Sequence, residues 1–329
     1  MPRRNSYFLV SVSNRENLNL CIEYALAGFT NSINGVWTYH DIKLGDFVSF
    51  LYGAKAHNLY RVESKASLRD AELAPPWPPV HFKQSGKTYY FPFRLQLKPV
   101  RRFQESLVRT EFSYVAENLL LRGGYRRTHF QADQTTLQAV SQMGELWLTP
   151  TPRLEMPNVQ TYTPLFAKHR DLLHPPEVFR FQELTLQGAI RAYLSQTEHL
   201  QEFLGWMNVN VASDEFEVLG EKALPEGFAD LLIKEATPAG MSRKILLEVK
   251  TNTASLRDVE QLRYYTTTIG QECMGAALIA SSFPRKVLRQ LGDSGIAALQ
   301  YRWEQLDMKT SPATFEQLVQ SLRLTPPGP

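Results

Sequence analysis

Two runs decide the fold: Phe228-Ala229-Asp230-Leu231-Leu232-Ile233 and Lys244-Ile245-Leu246-Leu247-Glu248-Val249-Lys250. Each is short, apolar and bounded by turn residues, the pattern of a buried strand. Thr237-Pro238-Ala239-Gly240 lies between them and supplies turn chemistry. With Ala239 at the centre, Asp230 and Glu248 lie equally far to either side, so an antiparallel hairpin sets them opposite one another. Lys250 follows Glu248 at the strand period and falls on the same face.

Two carboxylates about 4 Å apart repel by roughly 4 kcal/mol at an effective dielectric of about 20. Such a pair calls for a proton, a cation or water. A hard divalent ion answers it most simply, since Mg²⁺ takes one or two carboxylates with water and substrate phosphate. A lysine beside the ion can orient or deprotonate an attacking water and offset charge on a scissile phosphate. A lone Glu-x-Lys on a strand reads as a surface ion pair. The facing Asp230, inside otherwise apolar strands, tips the reading toward a site.

The flanking sequence extends the pattern. Glu183-Leu184 opens a helical stretch to about Phe203, and Glu221 precedes the Pro225-Glu226-Gly227 turn. Ser255-Leu256-Arg257-Asp258 reads as a helix start with a capping pattern. Leu256, Val259, Leu262 and Tyr265 then recur at helical spacing, with Gln261 among them. Met274 to Ala280 reads as a strand, Pro284 to Leu291 as a helix and Ile296 to Trp303 as a closing strand.

With Asp230, Glu248 and Lys250, residues of about 178–305 resemble the PD-(D/E)XK nuclease superfamily, with its α-β-β-β-α-β core. The run from Glu221 to Trp303 is most similar to the branch of archaeal and actinobacterial mismatch endonucleases, EndoMS/NucS. The proline before the first aspartate is absent, since Ala229 stands there. The resemblance implies that Asp230, Glu248 and the Val249 carbonyl bind Mg²⁺, with Mn²⁺ as a substitute, and that Lys250 positions the water. Glu221, Glu183 and Gln261 are second candidates for metal or substrate orientation.

The whole chain has 329 residues, enough for about two domains each with its own core. Apolar content of 43% with 21% charged residues is that of an ordinary globular protein. A net charge of +3 leaves nucleic-acid binding to local patches. Cys21 and Cys273 make neither a metal spacing nor a disulfide framework and read as reduced thiols. No stretch reads as a signal peptide or a membrane span, so a cytoplasmic protein is expected.

The N-terminal part begins with the strand Tyr7 to Val12, a turn or cap at Asn14-Arg15-Glu16-Asn17, and a helix from Leu18 to Ala27. Asn34-Gly35-Val36-Trp37-Thr38 and a polar loop lead to Gly45-Asp46 and the strand Phe47 to Tyr52. Strands follow at Asn58 to Glu63 and Tyr89 to Leu97, which together suggest a small curved β-barrel. Residues 7–103 resemble the YTH/EVE group of PUA-like modified-base readers, on Asn14-Arg15-Glu16-Asn17-Leu18, Gly35-Val36-Trp37, Trp77 and Lys98-Pro99-Val100. The resemblance implies an aromatic cage around a methylated base with Trp37 and Trp77 as its sides. It further places Asn17 and the Thr38 backbone on the base edge, and Tyr39 or Tyr52 as a third wall. Stacking of a base on aromatic side chains is worth about 1–3 kcal/mol, whereas one buried methyl adds only about 0.8 kcal/mol. Core tryptophans are the plain alternative, although Pro75-Pro76-Trp77-Pro78-Pro79 reads as a loop.

Glu105 to Leu121 and Asp133 to Leu146 read as helices, separated by the basic Arg122-Gly123-Gly124-Tyr125-Arg126-Arg127. Arg101, Arg102, Arg109, Arg122, Arg126 and Arg127 are the candidate phosphate contacts, with a solvated loop as the alternative. The expected division is α/β in two domains: a reader at 1–149, a proline-rich linker at 150–177 and a nuclease at 178–329. Ser311-Pro312 reads as the start of a helix through Leu322, and the tail from Thr325 as disordered. The functional expectation is a modification-dependent DNA endonuclease, acting on double-stranded DNA with a methylated base, adenine favoured over cytosine. A double-strand break from one such site implies a homodimer or successive nicks. A mismatch or structure-specific repair nuclease and a non-catalytic modified-RNA binder are the alternatives.

Overall fold

A computed structural model describes residues 4–53, 55–82, 86–107, 128–154, 159–174, 177–224 and 227–328. The chain divides into two compact units, one of residues 5–165 with 173–179, the other of residues 1–4, 166–172 and 180–329.

In the first unit β1 (Tyr7–Ser11) leads to α1 (Arg15–Glu23), β2 (Leu26–Phe29) and α2 (Ile33–Asp41). β3 (Phe47–Tyr52) and β4 (Lys55–Ser67) form a hairpin, followed by the short β5 (Val80–Phe82) and β6 (Lys87–Tyr89). β7 (Phe93–Arg102), β8 (His129–Ala132), α3 (Gln134–Ser141) and β9 (Glu145–Leu146) complete it. The main ladder runs β2-β7-β4-β3-β1-β8, with β9 beside β7. Among the described residues this is a path with two free ends. Tyr7, Leu9, Leu51, Leu59, Phe103, Phe130 and Val140 fill a core between the sheet and α3.

Local chemistry explains three departures from expectation. Asn34 to Thr38 lies inside α2, because the Ser32 hydroxyl accepts the Gly35 amide and caps a helix there. The expected strand from Tyr89 to Leu97 is interrupted before Phe93, at Pro92, which has no amide to donate to a ladder. The helix expected to reach Leu146 ends at Ser141, and Gly144 takes a left-handed φ of +64° where the chain turns into β9. The helix read over Glu105 to Leu121 and the loop with Arg109, Arg122, Arg126 and Arg127 lie outside the described residues, save Glu105 to Leu107, which are not helical.

Between Leu165 and Arg180 the chain alternates between the units, with short strands β10 (Leu165–Ala167) and β11 (Val178–Arg180) in a stretch expected to be a proline-rich linker. α4 (Glu183–Leu194) and α5 (Thr197–Trp206) replace the single helix expected to about Phe203. At the break the Ser195 hydroxyl turns back to the Arg191 carbonyl at 2.7 Å.

The second sheet is built from β12 (Phe216–Leu224), β13 (Gly227–Glu235) and β14 (Lys244–Val249). After α6 (Leu256–Ile269) come β15 (Cys273–Ala280), α7 (Arg285–Asp293) and β16 (Ala297–Trp303). β17 (Ala313–Thr314), α8 (Phe315–Ser321) and β18 (Leu322–Thr325) end the described chain. Strand order is β12-β13-β14-β15-β16-β18, antiparallel at both edges and parallel from β14 to β16. The unit is therefore mixed α/β, with helix, three strands, helix and strand in the expected sequence. Leu232, Leu246 and Leu278 share one core with Val259, Leu262 and Tyr265 of α6 and Val287 and Leu291 of α7. The final helix starts at Thr314, whose hydroxyl accepts the Gln317 amide, and not at Ser311. The helix expected through Leu322 ends at Ser321, and the chain continues as β18 with alternate residues Leu322 and Leu324 buried, which takes in only Thr325 of the tail expected to be disordered.

Candidate active site

The hairpin register is fixed by the pairs Leu231↔Leu247, Leu232↔Leu246, Ile233↔Ile245 and Lys234↔Lys244. Carried one step further, it sets Asp230 against Glu248, as the symmetric turn implies. Gly240 holds φ +79° in that turn, a conformation open to glycine at no steric cost. The even-numbered residues Leu232, Leu246 and Leu278 belong to the core beneath α6, so strand alternation points Asp230 and Glu248 to the same side.

Asp230 Oδ2 accepts the Val249 amide at 2.7 Å. Glu248 is 2% exposed. Its Oε1 takes the Lys250 ammonium at 2.8 Å and the Gln261 amide at 3.2 Å. Its Oε2 is buried with no hydrogen-bond partner among the described residues. Glu183, at the first turn of α4, reaches Lys250 Nζ at 3.5 Å. The structure thus brings Asp230, Glu248, Lys250, Gln261 and Glu183 together. Glu221 lies on β12, and its side chain is outside the described residues.

Burial pushes the Asp230 carboxyl well above its usual range, and the neighbouring Glu248 charge adds to it. Glu248 is raised too, chiefly by burial, against the pull of Lys250. Burial works against the Lys250 charge, but Glu248 outweighs it and, with Asp230 and Glu183, holds the ammonium above its ordinary value. An ammonium held in this way donates hydrogen bonds and does not serve as a base. Two carboxyls both raised by burial, with one buried oxygen unmet, form a site that favours added positive charge.

The two facing carboxylates, oxygen donors both, fit a hard divalent ion. Among the described residues no three His, Cys, Asp or Glu are grouped closely enough to hold a metal, and Glu183 meets the site through Lys250. Sequence reading did not single out the Tyr265 hydroxyl as a site group. It accepts the Phe228 amide at 3.4 Å and ties β13 to α6 just before Asp230. The signal available was its place as the last aromatic of the buried α6 stripe.

The N-terminal candidates are packed differently from an open cage. Trp37 is 7% exposed, 4.5 Å from the His129 ring, and Trp77 is 5% exposed against Phe91. A Cβ on Gly28 would fall 2.3 Å from the Trp77 ring. The buried Arg94 guanidinium lies 5.0 Å over that ring and donates to the carbonyls of Ala74, Pro75 and Phe91, pinning the proline loop. In this conformation both indoles are buried and packed on neighbouring rings. Thr38 is fully buried, its hydroxyl bonded to the Asn34 carbonyl at 2.8 Å and to His129 at 2.9 Å. The Asn17 amide is capped by Asn14, and its side chain turns to Ser13 at 3.4 Å. Tyr39 lies under the Lys65 ammonium at 4.4 Å, and Tyr52 is half-buried at the end of β3. Arg101 is half-buried and Arg102 exposed. Cys21 and Cys273 are free thiols. No described helix is long and apolar enough to cross a membrane.

No protein-family model matches the chain, and no curated protein does. A repair endonuclease from Pyrococcus abyssi aligns at 21% identity over 31% of this chain and 46% of its own, with a TM-score of 0.22. The DNA modification-dependent restriction endonuclease AspBHI aligns at 12% identity over 87% of this chain and 65% of its own, TM-score 0.22. The MspJI restriction endonuclease, in complex with a 27-mer oligonucleotide, aligns at 11% over 88% and 64%, TM-score 0.19. The chain spans under half of the first and under two-thirds of the others. Superpositions this loose transfer neither fold nor activity.

Proposed function

We propose that this chain is a divalent-metal-dependent DNA endonuclease whose N-terminal unit directs it to modified DNA. One observation carries the catalytic half: Glu248 is buried beside Asp230 and Lys250 with one carboxylate oxygen unmet. Asp230, Glu248 and the Val249 carbonyl would hold Mg²⁺, or Mn²⁺ in its place. Bound there, the ion would supply Lewis-acid polarisation of a phosphodiester. Lys250 would orient the water and offset charge on the phosphate. Gln261 holds Glu248 in place, and Glu183 draws Lys250 toward α4.

The address, a methylated base with adenine favoured, is supported by the likeness of Asn14 to Leu18 and Gly35 to Trp37 to modified-base readers. Double-strand cleavage by a single site of this kind would use a homodimer or two nicks. The deciding experiment digests matched DNAs carrying adenine methylation, cytosine methylation or neither, with Mg²⁺ and with EDTA. Metal-dependent cutting of the adenine-methylated DNA is expected. Equal cutting of all three would leave a nuclease without the modified-base address. No cutting with either Mg²⁺ or Mn²⁺ would remove the nuclease.

A further inference from the structure

The N-terminal unit carries a concavity that the candidate cage residues do not line. A cleft of about 630 Å³ is lined by His57 and Asn58 near the start of β4, Arg102 at the end of β7, and Trp147 and Thr151 after β9. Its size is that of a small-molecule pocket. Trp37, Trp77, Tyr39 and Tyr52 are not part of it.

Its lining has a definite chemistry. Trp147 is half-buried, and the Arg102 guanidinium lies 4.4 Å from its ring centroid. Arg102 is exposed and makes one long contact, to Thr149 Oγ1 at 3.4 Å, which leaves most of its fork unused among the described residues. Asn58 takes a left-handed φ of +55°. Its side chain is committed to the fold, accepting the Phe103 amide at 3.0 Å and donating to the Tyr60 hydroxyl at 3.1 Å. That wall is rigid. His57 Nε2 and Thr151 Oγ1 are shielded from water with no partner among the described residues. Unmet groups of this kind are costly, and a ligand heteroatom met by a small side-chain rotation would relieve that cost. Burial and then Lys55 hold the His57 imidazole below its usual range, so it is neutral near pH 7 and can donate or accept. Glu23 is the one carboxylate on the lining, and it interacts with the Tyr24 hydroxyl.

An aromatic face, a guanidinium beside it and neutral hydrogen-bonding groups behind it match a base with its phosphate. We infer that this cleft binds a nucleoside phosphate, base against Trp147 and phosphate on Arg102. The inference rests on the nuclease reading only for its source: an extruded nucleotide of the DNA substrate and a free mononucleotide share this chemistry.

The test measures binding to the full chain in EDTA, where no cutting intervenes. Probes are a labelled single-stranded oligonucleotide, the four deoxynucleoside monophosphates and inorganic polyphosphate as a base-free control. Trp147→Ala should weaken oligonucleotide binding by about fivefold to a hundredfold, while Trp147→Phe stays near the parent. Arg102→Ala should weaken both the oligonucleotide and polyphosphate. Should Trp147→Ala fail to fold, Arg102→Ala and Thr151→Val decide, and unchanged oligonucleotide binding in both overturns the inference. A folded Trp147→Ala that binds as the parent does also overturns it, as does equal loss of polyphosphate and oligonucleotide in that variant. Saturable mononucleotide binding that the oligonucleotide cannot displace assigns the cleft to a free nucleotide. Trp147-dependent binding in a chain that never cuts DNA would keep the cleft and remove the nuclease.

Discussion

Asp230 Oδ2 accepts the Val249 amide at 2.7 Å across the hairpin, so one oxygen of this carboxylate is held by the backbone facing it. Asp230→Asn keeps an acceptor for that amide but removes the charge, whereas Asp230→Ala leaves the amide unmet. Both should lose cleavage by roughly a hundredfold or more. Only the alanine variant should also lose about 1–3 kcal/mol of stability. Rates and thermal unfolding check this together, and an asparagine variant that cuts at the parent rate would end the metal role of Asp230.

The metal-free site should make stability depend on pH. Folding raises the Asp230 carboxyl to about 8, through burial and then Glu248, and raises Glu248 as well. A raised acid favours the folded state fully below its unfolded value, and that benefit is lost as pH climbs through the folded value. In EDTA the melting temperature should therefore fall between about pH 4 and pH 8, with a smaller fall in Asp230→Asn. Added Mg²⁺ should restore most at the alkaline end. A parent and variant with parallel profiles would refute the assignment.

Lys250→Ala removes the ammonium that sits 2.8 Å from Glu248. Cleavage should drop by roughly 10²–10⁴-fold, the span typical of a positioned proton-handling or charge-handling group. DNA binding in EDTA should be kept. Normal cutting by this variant would show that the lysine is only a counter-ion.

Trp37 packs on His129 with 7% of its surface exposed, so Trp37→Ala should act first on stability. A loss of about 3–5 kcal/mol is expected. Unfolding curves measure it, and an undisturbed melting temperature would mean that the indole is free to serve a ligand after all.

Gly28→Ala places a Cβ 2.3 Å from the Trp77 ring. Overpacking of this kind costs about 1–3 kcal/mol. A drop in melting temperature together with a change in tryptophan fluorescence is expected, and neither should follow from Gly205→Ala in α5, where a new Cβ meets nothing.

The hairpin was legible because its determinants are local: a turn centred on Ala239 and alternating apolar residues fix the register by themselves. Gln261 was legible by helical period, since Val259 and Leu262 anchor α6 on the sheet and leave its neighbour beside Glu248. The fates of Trp37 and Trp77 depend on His129, Gly28 and Arg94, which adjoin them only after folding. A proline-rich loop suggested exposure for Trp77, yet Arg94 draws that loop inward. At the C-terminus the helix was read through Leu322, one residue past its end, and the short alternation of Leu322 and Leu324 that makes β18 was passed over. Trp147 carried no signal of its own, because the partners that give it a cleft come from β4 and β7.

β18 lies along β16 through the pairs Tyr301↔Leu324 and Trp303↔Leu322. A truncation before Leu322 would strip the backbone of β16 of those partners and leave it bare at the margin of the sheet. Strand margins of that sort recruit other chains, so a shortened product would be prone to self-association and precipitation. Purification handles belong beyond Thr325, with a spacer, and trimming for crystallisation should stop short of it.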